Sequence, residues 1–132
     1  DGWQLSNPPI LALAPLRISL QVFRRAGFET LRQKSQTLTG YLEWLIKERV
    51  SDVLEIVTPR ETNRRGCQLS LRVKGPRDSG RSLFEHLQQD GIVVDWREPD
   101  VIRAAPAPLY NRFMDCQRLV DSTRQWHESR KI

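Results

Sequence analysis

Apolar residues recur at helical spacing through the first third of the chain. Over residues 10–26 they lie almost all round a predicted helix, a pattern typical of a helix buried against partners. Over residues 28–49 they alternate with charged residues every three or four positions, which predicts an amphipathic helix. Gly27 should end the first helix. We expect Pro15 to kink or break it, and Gly40 to let the second helix pack closely.

The spacing of apolar residues changes to that of short strands after residue 50. Turn-forming Gly, Pro, Asp and Ser residues separate the segments. This order predicts an α+β fold, with a small, mostly antiparallel sheet of about four strands covered by helices on one side. The predicted strands are 53–57, 67–73, 92–94 and 101–104, and the predicted helices are 82–89 and 112–130.

Composition narrows the classes of protein that fit. The chain has 132 residues, a net charge of +5 and 39% hydrophobic residues, which is typical of about one globular domain. Its longest apolar run, 10–16, is far shorter than the roughly 20 residues of a membrane span. Arginines are spread over all elements, which favours a solvated surface over a nucleic-acid-binding patch. Cys67 and Cys116 form neither a disulfide framework nor a metal site, so we expect a reducing, cytoplasmic setting.

No complete catalytic set is visible, but two features are candidates for binding. Asn7 precedes Pro8 and Pro9 at a predicted helix start, where it is either a cap, the commoner case, or part of an anion site. Arg103 lies within a short apolar strand. It either faces solvent or reaches into a cleft to pair with an acid, and spacing favours neither. None of the lysines lies in a context that would activate it.

Six stretches span nearly the whole chain and together form a specific pattern: Gly2–Ile10, Leu38–Glu43, Ile56–Arg60, Arg65–Ser70, Gly91–Arg97, and Ile102–Arg103 with Pro106–Asn111. In this order they resemble the C-terminal part of the kynureninase family, fold-type I enzymes of the class V aminotransferase group that use pyridoxal phosphate (PLP). Departures such as Ala104, Ala107 and Arg112, where the family usually has Val, Val and Ser, are conservative or peripheral.

The resemblance implies an activity and a division of the chain. The family hydrolyses kynurenine or 3-hydroxykynurenine to an anthranilate and L-alanine, in tryptophan catabolism and NAD biosynthesis. By resemblance, Asn7 lies beside the cofactor phosphate and Arg103 binds the substrate α-carboxylate. The Schiff-base lysine lies N-terminal to this segment, so the chain should hold no catalytic residue and be inactive alone. Residues 1–27 would be a connecting helix, and 28–132 the small α+β domain.

The same resemblance implies partners. They are a kynurenine-type substrate, the enzyme's own large N-terminal domain and a second subunit of a homodimer, with no nucleic acid and no membrane. Two alternatives remain open on the sequence: the same domain of another class V PLP enzyme, and a stand-alone basic nucleic-acid-binding module. A product assay with kynurenine would distinguish a kynureninase from another class V PLP enzyme. An affinity for nucleic acid that falls steeply with salt would favour the binding module.

Overall fold

The structure, a computed structural model, describes residues 6–131, and over them two helices are followed by pairs of strands separated by one helix and closed by another. The predicted α+β class is confirmed. The elements are α1 (Ile10–Ala26), α2 (Phe28–Arg49), β1 (Leu54–Ile56), a 3-10 turn (Thr62–Arg64), β2 (Leu69–Val73), α3 (Ser79–Gln89), β3 (Asp95–Arg97), β4 (Val101–Ala104) and α4 (Phe113–Ser129).

The strands form one antiparallel sheet of four strands, as predicted, and their order is β1-β2-β4-β3. Alternate residues of each strand point to opposite faces. One face is apolar and packs with α2, α3 and α4 into a single core, while the other carries polar and charged side chains. Buried residues on the core face are Leu54, Leu69, Leu71, Val73, Ile102 and Ala104.

A buried ion pair ties the loop between β1 and β2 to α2. The Arg65 side chain is 3% exposed, and its Nη1 lies 2.8 Å from Glu43 Oε2. Burial alone would raise the pKa of Glu43, but hydrogen bonds from Lys47 and Arg65 outweigh it and hold this pKa below its ordinary value. The pair fixes the loop that leads into β2.

The predicted third strand at 92–94 is wrong. Residues 92–94 are irregular, Val93 is 96% exposed, and the strand is β3 at Asp95–Arg97. Gly91, at a φ of 71°, turns the chain out of α3, and Ile92 and Val94 cover the core without pairing with a strand. An edge strand with one open face needs alternating polar and apolar side chains. The polar–apolar–polar pattern of β3 meets this need, whereas the apolar run before it does not.

Two further expectations concern the first helices. The expected break at Pro15 is absent, since α1 is continuous from Ile10 to Ala26, while a kink there stays a prediction. Gly40 does not mark a close contact, since it is exposed and a Cβ built on it would meet nothing within 4 Å. The end of α1 at Gly27, with φ 81°, agrees with the prediction. No helix within residues 6–131 is long and apolar enough to cross a membrane.

The glycine that does permit close packing is Gly80, in the first turn of α3. A Cβ there would lie 2.7 Å from Trp96 Cη2 and 3.3 Å from Asp100 Cα. We expect Gly80→Ala to destabilise the protein by about 1–3 kcal/mol, because the added methyl pushes α3 off the sheet. Gly40→Ala is the matched control and should stabilise by about 0.5–1 kcal/mol through helix propensity alone.

Urea unfolding of the full-length protein, followed by tryptophan fluorescence, measures both free energies of unfolding. Equal effects of the two substitutions would contradict the close packing of α3 on Trp96.

Candidate functional site

Arg103 lies in the centre of the sheet and points to its open face. Its strand neighbours Ile102 and Ala104 are 1% and 2% exposed on the core face, so strand alternation directs Arg103 the other way. In the register of the sheet, Arg103 is opposite Ser70 of β2 on one side and Asp95 of β3 on the other. Its backbone is therefore held on both sides.

The Arg103 guanidinium is paired with Asp95. Both Nε and Nη2 of Arg103 contact the same carboxylate oxygen, Oδ2. The two side chains are 32% and 48% exposed. Arg97 Nε lies 3.0 Å from that same oxygen, so one carboxylate serves two guanidinium groups. Arg103 thus pairs with an acid, one of the two arrangements its sequence context allows, but it does so on an open face of the sheet.

A second arginine on the same face has a comparable setting. Arg72 Nη1 lies 3.1 Å from Glu55 Oε2, and its Nε lies 3.5 Å from Asp100 Oδ2. The Arg72 side chain is 46% exposed and that of Glu55 is 50% exposed. This pair makes a natural control for Arg103 and Asp95.

The turn that follows β4 is fastened by a network around Asn111. Asn111 Oδ1 accepts a hydrogen bond from the Ala107 backbone N–H at 2.8 Å, and Nδ2 donates to Asp115 Oδ2 at 3.1 Å. The backbone N–H of Arg112 donates to the same Asp115 oxygen at 2.9 Å and caps α4. These bonds, the Arg112 backbone contact foremost, hold the pKa of Asp115 below its ordinary value.

A groove of about 330 Å³ opens beside this turn. Residues 91–94 form one wall, and residues 104–106 and the first turns of α4 form the others. Cys116 lies in its lining, and burial raises the pKa of this thiol to about 11, so it is not an activated nucleophile. Arg103 and Asn7 are not among the lining residues.

Asn7 stands apart from Arg103. Of the two alternatives for Asn7, the cap is absent, because the capping position of α1 is Pro9 and no side-chain cap hydrogen bond is present there. Asn7 is exposed, and among residues 6–131 no hydrogen bond or groove joins it to Arg103. The roles that the resemblance gives to Asn7 and Arg103 stay predictions.

Three of the four lysine side chains, those of Lys34, Lys47 and Lys74, are engaged within this chain. Lys34 Nζ donates to the Pro108 carbonyl at 2.7 Å, and Lys74 Nζ donates to the Ser51 carbonyl at 2.8 Å. Lys47 pairs with Glu43. None of these three has the desolvated, unpaired setting of a reactive amine.

Asp95 is the functional candidate that sequence reasoning missed. It belongs to a strand that the hydrophobic pattern predicts three residues too early, and that prediction does not set Asp95 opposite Arg103. The signal in the sequence is the alternation of Asp95 and Arg97 around Trp96, which is typical of an edge strand with one open face.

Comparison with known proteins identifies relatives for most of the chain. The family model described as the kynureninase C-terminal domain matches residues 31–123. A kynureninase of Stenotrophomonas maltophilia is 62% identical over 126 residues, which are 96% of this chain and 30% of that protein. A kynureninase of Xanthomonas oryzae pv. oryzae is 64% identical over the same lengths and shares. The chain therefore spans about 30% of the length of these curated relatives.

Solved structures share the fold at low sequence identity. The Rhodiola rosea 4-hydroxyphenylacetaldehyde synthase superposes with a TM-score of 0.57 at 16% identity, over 80% of this chain and 24% of that one. Mouse CSAD superposes with a TM-score of 0.50 at 12% identity, over 79% and 25%. These likenesses support the fold alone.

The network around Asn111 makes a stability prediction. Asn111→Ala removes the bonds to Ala107 and Asp115, so the free energy of unfolding should fall by about 1–3 kcal/mol. Asn63→Ala, in the exposed 3-10 turn, is the matched control and should change it by less than about 0.5 kcal/mol. Chemical unfolding of the full-length variants measures this. An Asn111 variant as stable as the Asn63 variant would show that the turn holds without these bonds.

Proposed function

We propose that this chain, which belongs to the kynureninase family as its C-terminal domain, provides the substrate-carboxylate clamp of a PLP-dependent enzyme that hydrolyses kynurenine or 3-hydroxykynurenine. The observation that carries the proposal is the placement of Arg103. Its guanidinium lies on an open sheet face, on a strand held from both sides. The relatives at 62% and 64% identity supply the name of the reaction.

The role of Arg103 is orientation. The α-carboxylate of an amino acid carries no chemistry in this reaction, but two parallel hydrogen bonds from a planar guanidinium would fix the direction of its other bonds. PLP, when bound, supplies the electron sink that lets a carbon–carbon bond of the amino acid break. The strand gives the Arg103 side chain a rigid base, because backbone pairing on both sides prevents β4 from shifting.

The residues of this chain fit a supporting role toward PLP. Asn7 is exposed and outside any cap, so its amide is available to donate to a phosphate oxygen. Lys34, Lys47 and Lys74 are held by their own chain. As the family resemblance implies, we place the lysine that holds PLP in the remaining part of the full-length enzyme, and we expect this segment alone to be inactive.

The exposed apolar surface of α1 supports the proposed protein partners. None of the residues of α1 is buried, and four of its large apolar side chains are each more than half exposed: Ile10, Leu11, Ile18 and Leu20. Such a surface is costly in water, so we propose that the large domain and the second subunit of a homodimer cover it. A cytoplasmic location is part of the proposal, supported by the free thiols of Cys67 and Cys116.

The clamp is tested by Arg103→Lys in the full-length enzyme. A hydrogen bond to a charged group contributes about 1.5–3 kcal/mol, and an ammonium cannot match the paired geometry, so kcat/KM for kynurenine should fall by roughly 10- to 150-fold. PLP absorbance should not change, because the clamp touches substrate. Arg72→Lys, on the same sheet face, is the matched control and should leave kcat/KM within twofold. A loss below threefold for Arg103→Lys would end the clamp hypothesis.

Asn7 makes a separate prediction about the cofactor. Because Asn7 makes no cap hydrogen bond, Asn7→Ala should not lower the melting temperature, whereas a lost cap would cost about 1 kcal/mol. The affinity for PLP should weaken by about 3- to 10-fold, through the loss of one hydrogen bond. A PLP titration followed by absorbance, with Asn63→Ala as control, measures this. Unchanged PLP and substrate affinities would leave Asn7 without the predicted role.

A further inference from the structure

We propose that Asp95 is the positioning residue of Arg103. It holds the guanidinium so that the N–H groups at its far end, one on each η nitrogen, face the substrate carboxylate. The inference rests on the proposed function, since it gives Arg103 a partner in the clamp. It follows from the register of the sheet, which sets Asp95 directly opposite Arg103.

The way Asp95 binds Arg103 leaves the useful edge of the guanidinium free. A guanidinium has five N–H donors. Two of them, on Nε and one η nitrogen, form its side edge. Two others, one on each η nitrogen, form its end edge. Asp95 Oδ2 occupies the side edge, through Nε and Nη2. The hydrogen bond and the ion pair that Arg103 makes within residues 6–131 use Nε and Nη2 and not Nη1. The end edge therefore remains available for a second carboxylate, with two parallel bonds.

The same contact sets the direction in which that edge points. Arginine has a long side chain with many rotamers, and the Arg103 side chain stays 32% exposed on the open face. Two contacts from one Asp95 oxygen, on a neighbouring strand, fix the plane of the guanidinium relative to the sheet. A ligand carboxylate then meets an ordered pair of donors and does not have to order them itself.

The negative charge of Asp95 is a second way in which this residue positions Arg103. Arg97 and Arg103 both contact its Oδ2, so the acid lies between two cations on the same sheet face. Replacing Asp95 with a neutral group would leave these two guanidinium groups facing each other. Repulsion would then turn Arg103 away from the position in which it binds.

The test is Asp95→Asn in the full-length enzyme, with Glu55→Gln as the matched control. Glu55 pairs with Arg72 on the same face and is 50% exposed, against 48% for Asp95. We expect Asp95→Asn to lower kcat/KM for kynurenine by about 3- to 30-fold, mostly through a higher KM, and Glu55→Gln to change it by less than twofold. Asp95→Glu, which keeps the charge, should recover part of the loss.

A double-mutant cycle with Arg103→Lys separates positioning from a general structural effect. If Asp95 acts through Arg103, Asp95→Asn in the Arg103→Lys background should cost less than twofold more. An equal loss in both backgrounds would overturn the proposal, because Asp95 would then act without Arg103. A silent Asp95→Asn beside a large Arg103→Lys loss would also overturn it, and would leave the clamp intact. A silent Arg103→Lys would overturn the clamp itself and the role of Asp95 with it.

Ligand affinity gives a readout that a merely structural role would not move. The probes are a kynurenine analogue with its α-carboxylate and the corresponding amine without it, each tested as a competitive inhibitor. In the unsubstituted enzyme the carboxylate should improve the inhibition constant, and Asp95→Asn should shrink that improvement by about 3- to 30-fold. Equal weakening of both inhibitors would contradict a role directed at the carboxylate.

Discussion

The burial of Ile102 and Ala104 decides where Arg103 points. Both residues sit on the core face of β4, packed under the helices, and strand alternation leaves Arg103 no choice but the open face. A slip of one residue in β4 would bury a guanidinium and expose two apolar side chains, which is costly on both counts. The hydrophobic core therefore sets the direction of a charged residue that takes no part in the core.

The elements with local periodicity could be predicted from the sequence, and those set by distant pairing could not. The alternation in β2 and the helical spacing in α2 are visible within a few residues, and both elements lie where they were predicted. The edge strand β3 was placed over the apolar run before it, because that run has the stronger hydrophobic signal. The pairing of Asp95 with Arg103 was invisible for the same reason, since register between strands is a tertiary property.

The contrast between α1 and the other helices fits a segment of a larger assembly. The buried faces of α2, α3 and α4 join the sheet in one core, whereas α1 has apolar residues almost all round and no buried residue. A helix with that pattern stays exposed only at a cost, so its surface needs a partner beyond this segment. The chain spans about 30% of its curated relatives, which leaves most of their length to provide one.

The charge balance on the open sheet face favours a single carboxylate over a polyanion as its ligand. Arg72, Arg97 and Arg103 contact Glu55, Asp95 and Asp100, so the face is nearly neutral although the chain carries +5. A nearly neutral face does not attract polyanions such as nucleic acid over long distances. It can still bind a single carboxylate where donors are ordered and partly desolvated, because hydrogen-bond geometry then contributes more than net charge. Arg103, held by Asp95 with its end edge free, has that arrangement, which supports the proposed binding of an amino-acid carboxylate there.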